Sequence, residues 1–194
     1  MIESVPAVIP AAGRSHRMGT SKALLDAGGM SFLARILSSL REGGADPLLV
    51  VVREMESPLA REARNHGGEP ILNPNPSSGP VSSLQAGIRS LPDDAPAVLF
   101  SPVDHPLFSP ATVRALIRGF AKSSAPLVVP AFEGWRGHPV LFSRDLFPEL
   151  LEEGLPEGAR TVVRRYLHER LQLSVEDSGI LADIDTMEDY RKHF

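Results

Sequence analysis

Short apolar runs alternate with amphipathic segments along the whole chain. Residues 48–52 and 97–101 are apolar almost throughout, which is typical of strands buried on both faces of a parallel sheet. After Ser31, by contrast, apolar residues recur at helical spacing up to residue 40. This alternation of strand and helix patterns predicts an α/β fold with three layers and a mostly parallel sheet.

The same patterns place the individual elements. Serine, alone or before proline, predicts helix starts at Ser31, Ser57 and Ser109. The predicted strands are 5–9, 48–52, 70–72, 97–101, 127–129, 139–142 and 171–175. The predicted helices are 31–41, 57–67, 81–90, 109–122, 143–151, 159–169 and 188–193.

The organisation of the chain indicates one domain over residues 1–194. It contains no internal repeat, linker or low-complexity segment, and proline and glycine are spread through the loops. In open α/β sheets, ligands bind outside the carboxyl ends of the strands. The loops 10–22, 73–83, 102–107 and 133–138 follow predicted strands, so candidate chemistry is sought there.

Composition removes several classes of function. The chain has no cysteine, which excludes a disulfide scaffold, a thiolate metal site and a cysteine nucleophile. The absence of cysteine is compatible with the reducing cytoplasm, where we expect the protein. The net charge of -4 argues against nucleic acid as a partner. No apolar run of about 18 residues exists, and the acidic start of the chain reads as a first strand and not as a signal peptide; no membrane partner is expected.

The loop after the first strand has the composition of a phosphate-binding loop. Small residues at Ala11, Ala12 and Gly13 let backbone N–H groups approach a phosphate. Basic side chains follow at Arg14, Arg17 and Lys22, where they are placed to neutralise the charge of a phosphate. Together with Ser15, they complete the candidate nucleotide-binding residues of this loop. The spacing matches neither a Walker A loop nor G-x-G-x-x-G. A flexible basic connector is the alternative interpretation.

Candidate metal ligands lie after a predicted strand and before the last predicted helix. Asp104 follows an apolar strand between two prolines, where it either holds Mg²⁺ against a phosphate or forms a turn. Asp183 and Asp185 precede the last helix. Asp185 is either a metal ligand or, like Thr186, a helix cap, and Asp183 is the weaker candidate for a ligand.

Two further loops suit a flat ligand. Gly79 precedes Ser82 and Ser83, whose hydroxyls either read a base edge or cap a helix. Gly137 and His138 lie close to the sole tryptophan, a composition that suits a pocket, although a lone histidine is more often structural than catalytic.

The string AAGRSHRMGTSKALL resembles the nucleotide-binding signature of the molybdenum cofactor nucleotidylyltransferases, a branch of the GT-A-like nucleotidyltransferases. The segments NPNPSSGPVSSLQAGI, PVDHPL, RGHPVLF and DIDTMEDY are similar to the family's later motifs, in the same order, so that the resemblance covers nearly the whole chain. Pro10 and Met187 depart from the family's usual Leu and Pro.

The resemblance implies a Rossmann-like nucleotidyltransferase that moves a nucleotidyl group from an NTP to the phosphate of molybdopterin and releases pyrophosphate. It implies that Arg17, Lys22 and Asp104 are catalytic, with Mg²⁺ held by Asp104 and Asp185. The loop with Gly79, Ser82 and Ser83 would then lie beside the base and ribose, and Gly137 with His138 beside the acceptor. A molybdoenzyme would receive the product.

The nucleotide base of the preferred NTP is expected to depend on the residue at position 12. Guanylyl-transferring relatives tend to carry Gly here and cytidylyl-transferring ones Ala, and this chain has Ala12. The methyl group takes space that a purine needs, so CTP is expected to be preferred over GTP. The alternatives are guanylyl transfer to molybdopterin, synthesis of an NDP-sugar or CDP-alcohol, and a non-catalytic nucleotide-binding subunit.

Overall fold

The computed structural model describes residues 4–13, 21–79, 81–123 and 125–194. Its strands are β1 Val5–Pro10, β2 Ala45–Val52, β3 Glu69–Leu72, β4 Ala97–Phe100, β5 Leu127–Phe132, β6 Trp135–Arg136, β7 Val140–Ser143 and β8 Leu171–Ser174. Its α-helices are α1 Phe32–Glu42, α2 Pro58–Asn65, α3 Val81–Arg89, α4 Pro110–Lys122, α5 Phe147–Leu150, α6 Ala159–Arg165 and α7 Met187–His193. None of the helices in these ranges has the length and apolar character needed to cross a bilayer.

All eight strands belong to one mixed sheet with the order β3-β2-β1-β4-β7-β5-β6, and β8 pairs with β5. The pairs β1–β2, β1–β4, β2–β3 and β5–β8 are parallel, whereas β7 runs antiparallel to both β4 and β5. The predicted α/β class and mostly parallel sheet are therefore confirmed. The reversed strand β7 was predicted as a strand, but its direction was not.

Helices cover both faces of the sheet because alternate strand residues point to opposite sides. Along β1, Ala7 and Ile9 join a core with α1, α2 and α4, whereas Val8 joins a second core with α3, α5 and α6. Residues that follow β1, β2, β3 and β4 come together at the carboxyl edge of the sheet, where they line one cleft.

The predicted helix starts are correct. The hydroxyls of Ser31, Ser57 and Ser109 each accept a hydrogen bond from the backbone N–H three residues later, which satisfies one of the free N–H groups of a helix terminus. Thr186 caps α7 in a reciprocal pair with Asp189. The capping role considered for Asp185 therefore belongs to Thr186.

Candidate active site

A cleft of 690 Å³ opens at the carboxyl edge of the sheet, and we call it the first cleft. Seven of the residues singled out in the sequence line it: Ala11, Ala12, Gly13, Lys22, Gly79, Ser83 and Asp104. Three others, Arg14, Ser15 and Arg17, lie outside the described residues. The first cleft thus brings together three separate sequence segments that were chosen for phosphate, base and metal chemistry.

Arg53 is a first-cleft residue that the sequence analysis missed. Its guanidinium donates to the carbonyl oxygen of Ala12 from Nε at 3.4 Å and from Nη2 at 3.3 Å, and its side chain lines the cleft. Arg53 follows directly after β2, so the rule that ligands bind at the carboxyl ends of strands could have found it. The contact fixes the backbone beside Ala12 and adds positive charge to the wall.

The loop after β3 is braced by a buried asparagine that the sequence analysis also missed. The amide of Asn73 donates to the hydroxyl oxygens of Ser82 and Ser83, at 2.9 and 3.1 Å. Ser82 in turn donates to the carbonyl of Gly79 at 2.7 Å, which uses its proton. Ser82 therefore supports the loop, whereas Ser83 faces the cleft, and Gly79 adopts a φ of 89° that favours glycine.

A small cluster of metal-type ligands lies at the end of the first cleft. Ligand atoms of Asp104, His105 and Asp183 lie within 4.8 Å of one another. The Oδ1 atom of Asp104 is buried and accepts no hydrogen bond from any residue in the described ranges. A buried carboxylate oxygen without a partner is costly, so this geometry fits a divalent cation, which binds oxygen ligands of this kind.

Burial and a neighbouring carboxylate raise the pKa of Asp183. Burial contributes most, followed by the negative charge of Asp104, while His105 and Lys22 act in the opposite direction. A divalent cation would relieve the repulsion between the two carboxylates. The sequence analysis ranked Asp183 below Asp185 as a ligand; the structure places Asp183 beside Asp104 instead.

Asp185 contacts the lysine of the first loop. Its Oδ1 atom lies 2.5 Å from Nζ of Lys22, and its backbone N–H donates to Asp189 in the capping arrangement of α7. The two residues are 163 positions apart in the sequence, so their contact could not be read from spacing. It ties the start of α7 to the wall of the first cleft.

The segment with both aspartates is held in place by backbone contacts. The N–H of Ile184 donates to the carbonyl of Asp104 at 2.9 Å, and the N–H of His138 donates to the carbonyl of Ile180 at 3.0 Å. At Gly137, an added Cβ would lie 2.0 Å from that same Ile180 oxygen, so only glycine fits. The loops after β4 and β6 thus hold the segment by backbone hydrogen bonds and fix the position of Asp183.

A second cleft, of 1190 Å³, lies on the other side of the carboxylate cluster. It shares Gly79, Phe100 and Pro102 with the first cleft. Gly137 and His138, singled out in the sequence as acceptor residues, line it together with His105 and Asp183. The two clefts therefore adjoin at these shared residues, and the carboxylate cluster is divided between them: Asp104 lines the first cleft and Asp183 the second.

His138 is held in its neutral form. Burial lowers its pKa to about 3, and the nearby charges of His105 and Arg160 act in the same direction, against a hydrogen bond to the backbone of Phe100. The rings of His105 and His138 lie 4.5 Å apart, and Nε2 of His105 is 3.9 Å from Oδ1 of Asp104. A row of side chains therefore runs from the carboxylates into the second cleft.

This arrangement suits transfer between two ligands. The first cleft has room for one ligand along a loop of small residues and the second cleft for another, and the carboxylate cluster is divided between them, with Asp104 in the first and Asp183 in the second. No side chain in the described ranges has the geometry of a Ser-His-Asp nucleophile. Such a site neutralises negative charge on the ligands and aligns their reacting groups.

Known proteins with related sequences include nucleotide-transferring enzymes. PucB, a purine catabolism protein of Bacillus subtilis, is 29% identical over 194 residues, 94% of this chain and 92% of its own length. A molybdenum cofactor guanylyltransferase of Rhizobium meliloti is 34% identical over 154 residues, 77% of this chain and 66% of its own. A 2-C-methyl-D-erythritol 4-phosphate cytidylyltransferase of Frankia casuarinae is 31% identical over 128 residues, 65% of this chain and 47% of its own.

Related solved structures span the whole fold. Rv0371c of Mycobacterium tuberculosis superposes with a TM-score of 0.83 at 27% identity, covering 100% of this chain and 98% of its own. A structure of Rv0371c in complex with manganese gives a TM-score of 0.78 at 25% identity, with coverage of 98% and 97%.

The family model for the MobA-like NTP transferase domain matches residues 7–171. That range includes the loop of the first cleft, the loop after β4 that carries Asp104 and the loop with Gly137 and His138. The family expected from the sequence motifs is thereby confirmed. The chain belongs to the MobA-like NTP transferases and is a nucleotidyltransferase.

Proposed function

We propose that the protein transfers a nucleotidyl group, with CTP as the preferred donor, to the phosphate of a molybdopterin-type acceptor. The observation that carries this proposal is a carboxylate cluster shared by two adjoining clefts: Asp104 lines the cleft with the small-residue loop, and Asp183 lines the cleft with Gly137 and His138. The whole chain, 1–194, would act as one catalytic domain in the cytoplasm. Its product would pass to a molybdoenzyme.

The bonding changes are those of a direct displacement. An oxygen of the acceptor phosphate attacks the α-phosphorus of the NTP, and the bond from that phosphorus to the bridging oxygen of the β-phosphate breaks. Pyrophosphate leaves with the electron pair. Because the attacking oxygen is already anionic, the reaction needs no general base, and catalysis is alignment plus charge neutralisation.

The donor contacts follow from the first cleft. The backbone of Ala11, Ala12 and Gly13 would approach the phosphates, and Lys22 would neutralise the departing pyrophosphate. Arg14, Ser15 and Arg17 are proposed for the same phosphates on their sequence positions alone. Gly79 and Ser83 would lie beside the base and ribose, with Ser82 supporting them.

A divalent cation, Mg²⁺ or Mn²⁺, fits the carboxylate cluster. Asp104 and Asp183 are the residues placed to hold it, and the cation would supply positive charge to the phosphates. Asp185, the ligand first expected beside Asp104, would act on Lys22 instead.

The preference for CTP rests on Ala12, which is only 3% exposed in the wall of the first cleft. A methyl-sized difference in a pocket is worth about 1–3 kcal/mol, or roughly 10–200-fold in selectivity. CTP is therefore preferred but GTP is not excluded, and the relatives use either base, according to their names.

The test is pyrophosphate release by the purified protein with Mg²⁺ or Mn²⁺, molybdopterin and each of the four NTPs. We expect release that requires both the acceptor and the metal, with kcat/KM highest for CTP. In Ala12→Gly, the CTP:GTP ratio should fall toward one. A wild-type preference for GTP would overturn the base assignment, and release with sugar or polyol phosphates but not with molybdopterin would overturn the acceptor.

A further inference from the structure

The charged side chains of the first cleft divide into two groups. Within the part of the chain that the structure describes, the charged residues that line it are Lys22, Arg53 and Asp104. Lys22 contacts Asp185, and the neighbouring Ile184 donates its N–H to the carbonyl of Asp104. Lys22 and Asp104 therefore adjoin the same short segment of the chain, whereas Arg53 belongs to another part of the cleft.

The order of the strands places Arg53 on the side of the cleft proposed for the base. Strand β1 lies between β2 and β4. Asp104 is in the loop after β4 and Arg53 follows β2 directly, so the two strands that carry them are two strand spacings apart, roughly 10 Å. On the far side of β2 lies β3, and the N–H of Asn73 after β3 donates to the carbonyl of Val52 at 2.9 Å. Arg53 is therefore next to the loop that carries Ser83.

One edge of the Arg53 guanidinium is occupied, and another is available. Nε and Nη2 both donate to the carbonyl oxygen of Ala12, at 3.4 and 3.3 Å, which uses the edge formed by these two nitrogens. A guanidinium has five N–H donors and no acceptor, so the edge formed by Nη1 and Nη2 still has two parallel N–H groups. Arg53 also takes part in none of the ion pairs found among the described residues.

Two parallel N–H donors bind a base that presents two neighbouring acceptors. Guanine presents N7 and O6, the pair that arginine recognises in DNA, and cytosine presents N3 and O2. The contact with cytosine is the one that guanine makes in a G·C base pair, because the N1–H and N2–H groups of guanine form part of a guanidine unit. Uracil carries N–H at position 3, and adenine carries an amino group beside N1 and N7, so each of them sets a donor against a donor.

We propose that Arg53 recognises the base of the NTP and restricts the donor to cytosine and guanine nucleotides, while Ala12 selects between these two by size. The inference rests on the proposed function only in taking the first cleft as the NTP site. It accounts for a discrimination that a methyl group does not supply, because cytosine and uracil have nearly the same shape and differ in their hydrogen-bonding groups.

Direct binding of nucleotides tests the inference without an acceptor. Dissociation constants measured by isothermal titration calorimetry with Mg²⁺ should be roughly 10–100-fold lower for CTP than for UTP with the wild-type protein. In Arg53→Gln this difference should disappear, because a glutamine amide both donates and accepts and pairs with either pyrimidine. Arg53→Lys keeps the charge but lacks paired donors, so the CTP:UTP preference should fall there too.

The two specificity positions should act independently of each other. Ala12→Gly should tighten the binding of GTP and leave ATP weak, because Arg53 is still present. Arg53→Gln should bring UTP to the affinity of CTP and leave GTP weak, because Ala12 is still present. A phosphate-binding role of Arg53 predicts instead that Arg53→Gln weakens all four NTPs by the same factor and keeps their ratios.

The matched control is Arg118→Gln. Arg118 is an exposed arginine on α4 that lines neither cleft, so its variant should keep the wild-type ratio of CTP to UTP affinity. Equal binding of CTP and UTP by the wild type, or a preference that survives in Arg53→Gln, would overturn the inference. Circular dichroism and thermal melting check that both Arg53 variants fold like the wild type.

Failure of the proposed function has a different signature. If CTP binds but no molybdopterin-type acceptor gives pyrophosphate release, the proposed acceptor is wrong, and the CTP:UTP ratios still decide the role of Arg53. If none of the four NTPs binds to the wild type, the first cleft is not an NTP site and both proposals are overturned.

Discussion

Lys22 and Asp185 form an ion pair across the wall of the first cleft, with 13% of the lysine side chain and 53% of the aspartate side chain exposed. A partly exposed pair of this kind contributes little to the free energy of unfolding. Its importance at the residue scale therefore lies in the position of the ammonium group within the cleft.

Replacement of Lys22 by alanine should lower kcat about a hundredfold and leave the melting temperature nearly unchanged. The reason is that one lost electrostatic contact to a charged transition state costs roughly 3 kcal/mol of activation free energy. Pyrophosphate release and thermal melting of the same preparation measure both quantities.

The control for Lys22→Ala is Lys122→Ala, which removes an exposed lysine at the end of α4 outside both clefts. It should have no effect on turnover. Asp185→Asn should lower kcat less than Lys22→Ala does, because the ammonium group remains. Wild-type turnover in Lys22→Ala would remove this residue from the phosphate site.

The buried, neutral His138 makes stability depend on pH. Its pKa is lowered from 6.5 to about 3, so between these values the unfolded chain binds a proton that the folded protein does not. The free energy of unfolding should therefore fall as pH drops below about 6.5, by at most about 1.4 kcal/mol per pH unit for one proton. Asp183, with its raised pKa, opposes this trend in the acid range.

Comparison with His138→Asn isolates the contribution of the imidazole. Urea unfolding of both proteins, with a chelator present, gives the difference in their free energies of unfolding at pH 7.5, 6.5, 5.5 and 4.5. The advantage of the wild type should shrink as pH falls, because asparagine does not titrate. A difference that stays constant over this range would contradict the assignment of a low pKa to His138.

At the scale of elements, hydrophobic patterning predicted most helices and strands because each buries one face or both. It did not predict β6, whose two residues are exposed, or the direction of β7, since periodicity carries no information on strand direction. The helix expected at 143–151 is a 3₁₀ turn at Arg144–Leu146 followed by Phe147–Leu150. Pro148 explains the division, because proline fits only the first turn of an α-helix.

The candidate site was predictable where it follows strands directly. Ala12 and Asp104 lie in loops at the carboxyl edge, and both line the first cleft. The contact of Lys22 with Asp185 and the hydrogen bond from Ile184 to Asp104 join segments far apart in sequence. Such contacts depend on how the elements pack and leave no spacing signal in the chain.

At the scale of elements, the backbone contacts that hold the segment 180–185 against the loops after β4 and β6 should be broken by a single added methyl group. In Gly137→Ala, the new Cβ would lie 2.0 Å from the carbonyl oxygen of Ile180, so the loop or the segment has to move. We expect a loss of about 3 kcal/mol in the free energy of unfolding, measured by urea unfolding, and a loss of pyrophosphate release, because Asp183 shifts with the segment.

Gly134→Ala is the matched control in the same β-hairpin. An added Cβ there meets no atom within 4 Å, and only the left-handed φ of 84° opposes it, at a cost of about 1–2 kcal/mol. This variant should keep its activity. Equal effects of the two substitutions would show that the close approach at Gly137 does not matter.

At the scale of the whole molecule, a cation held by Asp104 and Asp183 would join the central strand β4 to the C-terminal segment. A ligand that binds only the folded state stabilises it by RT ln(1 + [L]/Kd), about 2.7 kcal/mol at a concentration 100 times Kd. For a chain of this length, that corresponds to a rise in melting temperature of roughly 5–10 °C.

Asp104→Asn should abolish this metal-dependent rise and lower kcat at least a hundredfold, because the amide keeps the shape of the side chain but loses the charge that attracts the cation. Without metal, the variant should melt at or slightly above the wild-type temperature, since the repulsion between Asp104 and Asp183 is relieved. Asp93→Asn, which changes an exposed aspartate outside both clefts, should retain the wild-type rise and rate. Melting curves with Mn²⁺ and Mg²⁺, beside pyrophosphate release, give both readouts; a wild-type rise in Asp104→Asn would place the cation elsewhere.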